Sequence, residues 1–124
     1  FDTIVMFGNN FGLFGTAQRA RWLLRRFDGM VRADGRILAI TLNPYDTTNP
    51  DHLAYQAANR ARGRMSGQVR IRIRHRRIVG GWFDYLFVSP EELAEIVAGA
   101  GWRVGRLLRQ DGAAVYAAVL EKAA

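Results

Sequence analysis

Gly8, Asn9 and Asn10 stand directly after the apolar run Ile4-Val5-Met6-Phe7, and Thr16 opens an amphipathic stretch six residues later. Glycine lets a backbone approach a ligand closely, and an asparagine amide both accepts and donates hydrogen bonds. A β-branched and aromatic run reads as a strand and the amphipathic stretch as a helix, so these residues occupy a strand-to-helix turn. In open α/β folds, ligands bind at such turns. As an ordinary turn the same residues need no ligand, because Gly and Asn tolerate positive φ.

Other chemistries are excluded. The chain has no cysteine, which rules out disulfides and thiolate metal sites, and His52 and His75 are too far apart for a recognisable metal spacing. No metal is expected. The longest apolar run, Ala113 to Leu120, falls far short of the ~20 residues of a membrane helix, and no charged-then-apolar leader opens the chain. The expected location is the cytoplasm, with no membrane partner. Phe1, rather than Met, precedes the first strand by two residues, which reads as a piece of a longer protein.

These residues need elements to hold them. Residues 3 to 8 read as a strand and Thr16 to about Val31 as a helix, with Ala20, Leu23, Leu24, Phe27, Met30 and Val31 at three- and four-residue spacing. Asp34-Gly35 turns the chain into Ile37-Leu38-Ala39-Ile40-Thr41-Leu42, a continuous apolar strand of the type buried on both faces. The sum is a right-handed βαβ unit. Asn43 to Pro50 is a polar loop, and Asp51 is placed to cap a short helix reaching about Arg62.

In "QVRIRIRHR", Val69, Ile71 and Ile73 alternate with Arg70, Arg72 and Arg74, giving one buried and one wet face. Gly80-Gly81 is the expected bend of a hairpin completed by Trp82 to Val88. Ser89-Pro90-Glu91-Glu92 forms a capping box and starts a helix with Leu93, Ile96, Val97 and Ala100 on its apolar face, ended by Gly101. Trp102 to Arg109 and Ala113 to Glu121 then pair antiparallel. At 124 residues with 49% hydrophobic content, the chain reads as one unit, residues 1–124, with Trp22, Trp82 and Trp102 in its core.

Taken in order, "FDTIVMFGNNFGL", "ADGRILAITLN", "WFDYLFVSPEELAEIVAGAGWRV" and "YAAVLEK" resemble the C-terminal half of a class I S-adenosylmethionine-dependent methyltransferase. The resemblance implies an α/β fold, half of a Rossmann-like sheet, mostly parallel with a terminal antiparallel strand, plus an inserted β-hairpin in a variable segment of about 44–88. It implies that Gly8, Asn9 and Asn10 bind the cofactor, S-adenosyl-L-methionine, and that Asn43 lines the neighbouring cleft as a substrate-binding residue. Trp82 is either core or the cap of a substrate pocket. The glycine-rich turn and ribose-binding acid of the family are absent, so the missing N-terminal half or a partner chain must complete the cleft. The expected activity is methyl transfer to a small-molecule acceptor. Alignment carries much of an in-line displacement from a sulfonium, and for a protonated acceptor His52, Tyr45 and Tyr55 are the candidate catalytic bases.

The formal charge of +7 is concentrated in one place. Between Asp51 and Asp84 no acidic residue occurs while eight arginines give +8, leaving the remainder at −1. The Arg ladder reads as a solvated hairpin face, as a site for an acidic small molecule, or as a nucleic-acid surface. The last defines the rival function, a non-catalytic basic module for RNA or DNA, and is not favoured because interleaved exposed aromatics are lacking.

Overall fold

The computed structural model describes residues 1–123. A four-stranded sheet is built from β1 (Thr3–Met6), β2 (Arg36–Leu42), β8 (Val115–Lys122) and β7 (Trp102–Arg109), in that spatial order. β1 runs parallel to β2, and β8 runs antiparallel to both β2 and β7. Three strands therefore share one direction and the last strand of the chain alone reverses, as the resemblance implied. α1 (Ala17–Asp28) connects β1 to β2, and α3 (Pro90–Ala98) precedes β7.

The two helices cover one face of the sheet. Ala20 and Leu24 of α1 and Leu93, Ile96 and Val97 of α3 pack with Ile37, Ala39, Trp102, Tyr116, Ala118 and Leu120 of the strands in one buried cluster. Trp102 fills its centre and donates its indole N–H to the Leu24 carbonyl at 2.9 Å, which satisfies the polar end of a buried ring. The capping box at Ser89 forms as expected: the Ser89 hydroxyl accepts from the Glu92 amide, and Glu92 reaches back to the Ser89 amide. The α1 cap is Thr16, whose hydroxyl accepts from the Arg19 amide.

Several expectations change. β2 is buried on one face alone, with Leu38, Ile40 and Leu42 left half-buried, because the helices described lie on the other side. α1 stops at Asp28, so Met30 is exposed. The cap of α2 (Pro50–Ala61) is Asn49 rather than Asp51, because Pro50 supplies the preset first helical position and puts the cap one residue before it. Only Trp102 of the three tryptophans is core. Trp22 and Trp82 are exposed, each beneath a guanidinium, Arg26 at 5.0 Å and Arg72 at 4.7 Å.

The insert is a two-part hairpin. β3 (Gln68–Ile71) pairs with β6 (Phe83–Leu86), and beyond them β4 (Arg74–His75) pairs with β5 (Ile78–Val79). The bend is Arg76-Arg77, with Arg76 at φ 55°, and not Gly80-Gly81. The buried-and-wet alternation ends with it, since Val69 and Ile71 are half-buried while Ile73 is exposed. Among the described residues no helix is long and apolar enough to cross a membrane, and no cluster of His, Cys, Asp and Glu is suited to a metal.

Candidate functional site

The turn after β1 is held by its own backbone. The Asn10 amide donates to the Phe7 carbonyl at 3.2 Å and the Gly12 amide to the Asn9 carbonyl at 2.9 Å. This requires left-handed conformations at Gly8 (φ 63°) and Asn9 (φ 64°), which glycine adopts freely and asparagine tolerates. A 3-10 turn follows at Asn10–Phe14, and its Phe11 and Phe14, packed edge to face at 5.0 Å, anchor it in the core. Asn10 itself is exposed, and no atom would lie within 4 Å of a Cβ placed on Gly8. The Asn9 Oδ1 atom is buried and has no hydrogen-bond partner.

β6 lies across this turn. The Tyr85 hydroxyl donates to the Asn9 carbonyl, and its ring sits where any side chain at Gly12 would be. Burial pushes the Tyr85 phenol above its ordinary range, which keeps the donating proton in place. Two residues on, Phe87 stacks edge-on against Tyr85 at 5.2 Å and lines a cavity of about 510 Å³.

That cavity lies between the C-terminal end of β2, α2 and β3. Leu42, Pro44, Val69 and Phe87 give it apolar walls; Asn43, His52 and Tyr55 bring polar groups. Its frame is hydrogen-bonded throughout. The buried Asn59 amide donates to the Ser66 and Gln68 carbonyls at 3.1 and 2.9 Å, fixing the end of α2 to β3, and the buried Gln56 amide donates to the Pro44 carbonyl. The Tyr55 hydroxyl accepts from the Arg70 amide at 3.1 Å, and His52 Nδ1 faces the Thr47 hydroxyl at 3.1 Å.

The structure thus brings Asn43, His52 and Tyr55 together in one cavity, with Gly8, Asn9 and Asn10 at a separate turn joined to it through Tyr85 and Phe87. Tyr45 does not line the cavity: its hydroxyl donates to Glu92 at 2.9 Å, and burial raises its pKa, a rise that its Ser66 contact opposes. Trp82 stands outside the cavity on the exposed hairpin. Tyr85 and Phe87 were missed in the sequence, although Phe83, Tyr85 and Phe87 alternate in "WFDYLF" with the period-two signal of a strand face.

No family model matches the chain, and no curated protein matches it in sequence. Solved structures do. A methyltransferase from Bacteroides fragilis, described as S-adenosylmethionine-dependent and in complex with S-adenosyl-L-homocysteine, matches with a TM-score of 0.78 at 24% identity over 100% of this chain and 48% of its own. An S-adenosylmethionine-dependent methyltransferase from Methanosarcina mazei matches with a TM-score of 0.69 at 8% identity over 99% of this chain and 59% of its own. The mitomycin 7-O-methyltransferase MmcR matches with a TM-score of 0.58 at 16% identity over 98% of this chain and 30% of its own. The chain spans about half the length, or less, of such structures. Strand order, strand directions and these matches agree on one conclusion: the chain has the fold of a partial, Rossmann-like S-adenosylmethionine-dependent methyltransferase domain.

Proposed function

We propose that the chain forms one wall of the cleft of an S-adenosylmethionine-dependent methyltransferase acting on a small-molecule acceptor. The rest of the cleft comes from a further segment of the same protein or from a partner chain. The observation that carries this reading is the Gly8-Asn9 turn, where two left-handed residues, open space at Gly8 and the unpartnered Asn9 Oδ1 coincide at the end of β1. A buried acceptor without a donor is costly and asks for one. The protonated amine of the cofactor's methionine moiety is a donor of the right kind, so Gly8, Asn9 and Asn10 fit that end of the cofactor. When bound, the cofactor supplies a methyl group on a sulfonium already activated for in-line displacement.

The residues of the chain then hold the acceptor. In this reading the apolar walls Leu42, Pro44, Val69 and Phe87 pack against the acceptor, and Asn43 and Tyr55 orient it. With Nδ1 turned toward Thr47, His52 keeps Nε2 to take a proton from an acceptor hydroxyl. The uncovered sheet supports a larger parent protein: among the described residues the outer edge of β1 is unpaired, Val5 and Phe7 are exposed, and one face of β2 is half-covered. The structures named above lend no support to the rival nucleic-acid module.

The test is transfer of a labelled methyl group from S-adenosylmethionine to a panel of small phenols and amines by the full-length protein. His52→Ala should lower transfer to phenols by roughly 10²- to 10⁴-fold while leaving cofactor binding intact. Equal loss of cofactor binding would remove His52 from the acceptor side, and failure of the full-length protein to bind the cofactor would sink the reading.

A further inference from the structure

The distal arm of the insert, residues 72–82, has no core beneath it. Every residue in it is exposed, and it is built of two-residue strands, whereas an isolated two-stranded hairpin is at best marginally stable in water. Its aliphatic side chains are among the most exposed in the molecule, Ile73 at 66% and Ile78 at 73%, and Trp82 is 56% exposed.

The register sorts these side chains. His75 lies opposite Ile78, so the two share a face, and Ile73, two residues before His75 and bonded through its carbonyl to the Gly80 amide, extends that face. Arg74 and Val79 share the other face. Arg76 and Arg77 form the bend, and Arg72 lies over the Trp82 ring. None of these four arginines is ion-paired among the described residues.

We infer that this arm docks the protein onto an anionic lipid bilayer. A partner must offer an apolar interior to both faces of the arm, Ile73 and Ile78 on one and Val79 and Trp82 on the other, and negative charge around it for Arg72, Arg74, Arg76 and Arg77. A lipid interface has that layering: amphipathic elements bury their apolar face in the headgroup and acyl boundary, Trp favours that depth, and arginines reach lipid phosphates. From Arg72 to Arg76 the strand reaches roughly 13 Å, comparable to the interfacial region it would enter. A nucleic-acid track leaves the isoleucines without a partner, and one tryptophan is a single stacking platform where strand binding uses several. A small anion needs a walled pocket, and none of these residues lines the cavity described above. Outside the arm the chain carries a net +3, the total of +7 less these four arginines, and offers no opposing net charge to a second copy. That no helix among the described residues is long and apolar enough to span a membrane has no bearing on docking of this peripheral kind.

Vesicle co-sedimentation of the full-length protein tests the inference, with vesicles of phosphatidylcholine alone and with about a third phosphatidylserine, at roughly 0.1 M salt. Binding should require phosphatidylserine. Each basic residue at such a surface is worth roughly fivefold, so the variant carrying Arg72→Gln, Arg74→Gln, Arg76→Gln and Arg77→Gln should lose two to three orders of magnitude. The charge-preserving pair Ile73→Asn and Ile78→Asn should lose roughly tenfold or more. On vesicle binding the tryptophan emission should shift to the blue and be quenched by brominated lipid, and Trp82→Phe should abolish that shift. Both sets of variants should keep the parent melting temperature, since their side chains touch no core. Failure to sediment with phosphatidylserine vesicles overturns the inference. So does binding with no Trp82 shift and no effect of the Asn pair, which is charge adsorption only, and so does retention on a single-stranded oligonucleotide without vesicle binding.

Discussion

Asn9 carries more of the proposed chemistry than any other side chain, and its two oxygens have different duties. Its carbonyl accepts from the Gly12 amide and the Tyr85 hydroxyl, which holds the turn in place; its buried Oδ1 is left without a partner and is, in the proposed function, the acceptor for the cofactor's amine. Tyr85→Phe removes only the first kind of contact, so it should lower stability by about 1 kcal/mol, read as a smaller urea midpoint, and slacken the turn. A midpoint unchanged by Tyr85→Phe would show that the hydroxyl does not hold the turn. The turn was legible in the sequence because Gly-Asn-Asn after an apolar run has few conformational uses. Tyr85 was not legible as its clamp: the two residues are separated by 76 positions, and only the folded hairpin brings them together.

Local chemistry also decided which elements could be read. Ser89-Pro90-Glu91-Glu92 specifies a helix start through contacts among neighbours, and the structure reproduces it. The hairpin bend was misplaced because Gly80-Gly81 has the more permissive backbone, yet the strand register puts the bend at Arg76-Arg77, with Arg76 taking the left-handed conformation. The 3-10 turn was overlooked because Phe11 and Phe14, three residues apart, show the 3-10 period over too few residues to be noticed. Its packing against β6 is tight, since a Cβ on Gly12 would overlap the Tyr85 ring. Gly12→Ala should therefore displace Tyr85 and destabilise the protein by about 1–3 kcal/mol, measured by thermal or urea unfolding. Neutrality at this position would mean that β6 does not close on the turn.

The whole molecule has one finished face and one open face, which explains why its continuous apolar strand looked buried on both sides in the sequence. The finished side holds Tyr116, whose hydroxyl donates to the Val88 carbonyl at 2.7 Å and whose burial raises its pKa far above the ordinary 10.0; Tyr45 and Tyr85 shift the same way. Folded phenols thus keep their protons at pH values where unfolded ones lose them. Stability from this source is complete below pH 10.0, the unfolded value, and is lost as pH rises toward the raised folded values. The melting temperature should fall above that pH, and Tyr116→Phe should flatten the fall; an unaltered slope would contradict the burial argument. The open side, with the unpaired β1 edge and the Gly8-Asn9 turn beside it, is where the proposed cofactor cleft is completed. Calorimetric titration of S-adenosylhomocysteine into the full-length protein and its Asn9→Gly variant, which keeps the left-handed backbone and removes only the side chain, addresses the claim most directly. The account predicts millimolar to micromolar binding by the parent and a loss of roughly tenfold or more in the variant, with an unchanged melting temperature; no binding by the parent, or equal binding by both proteins, would contradict it.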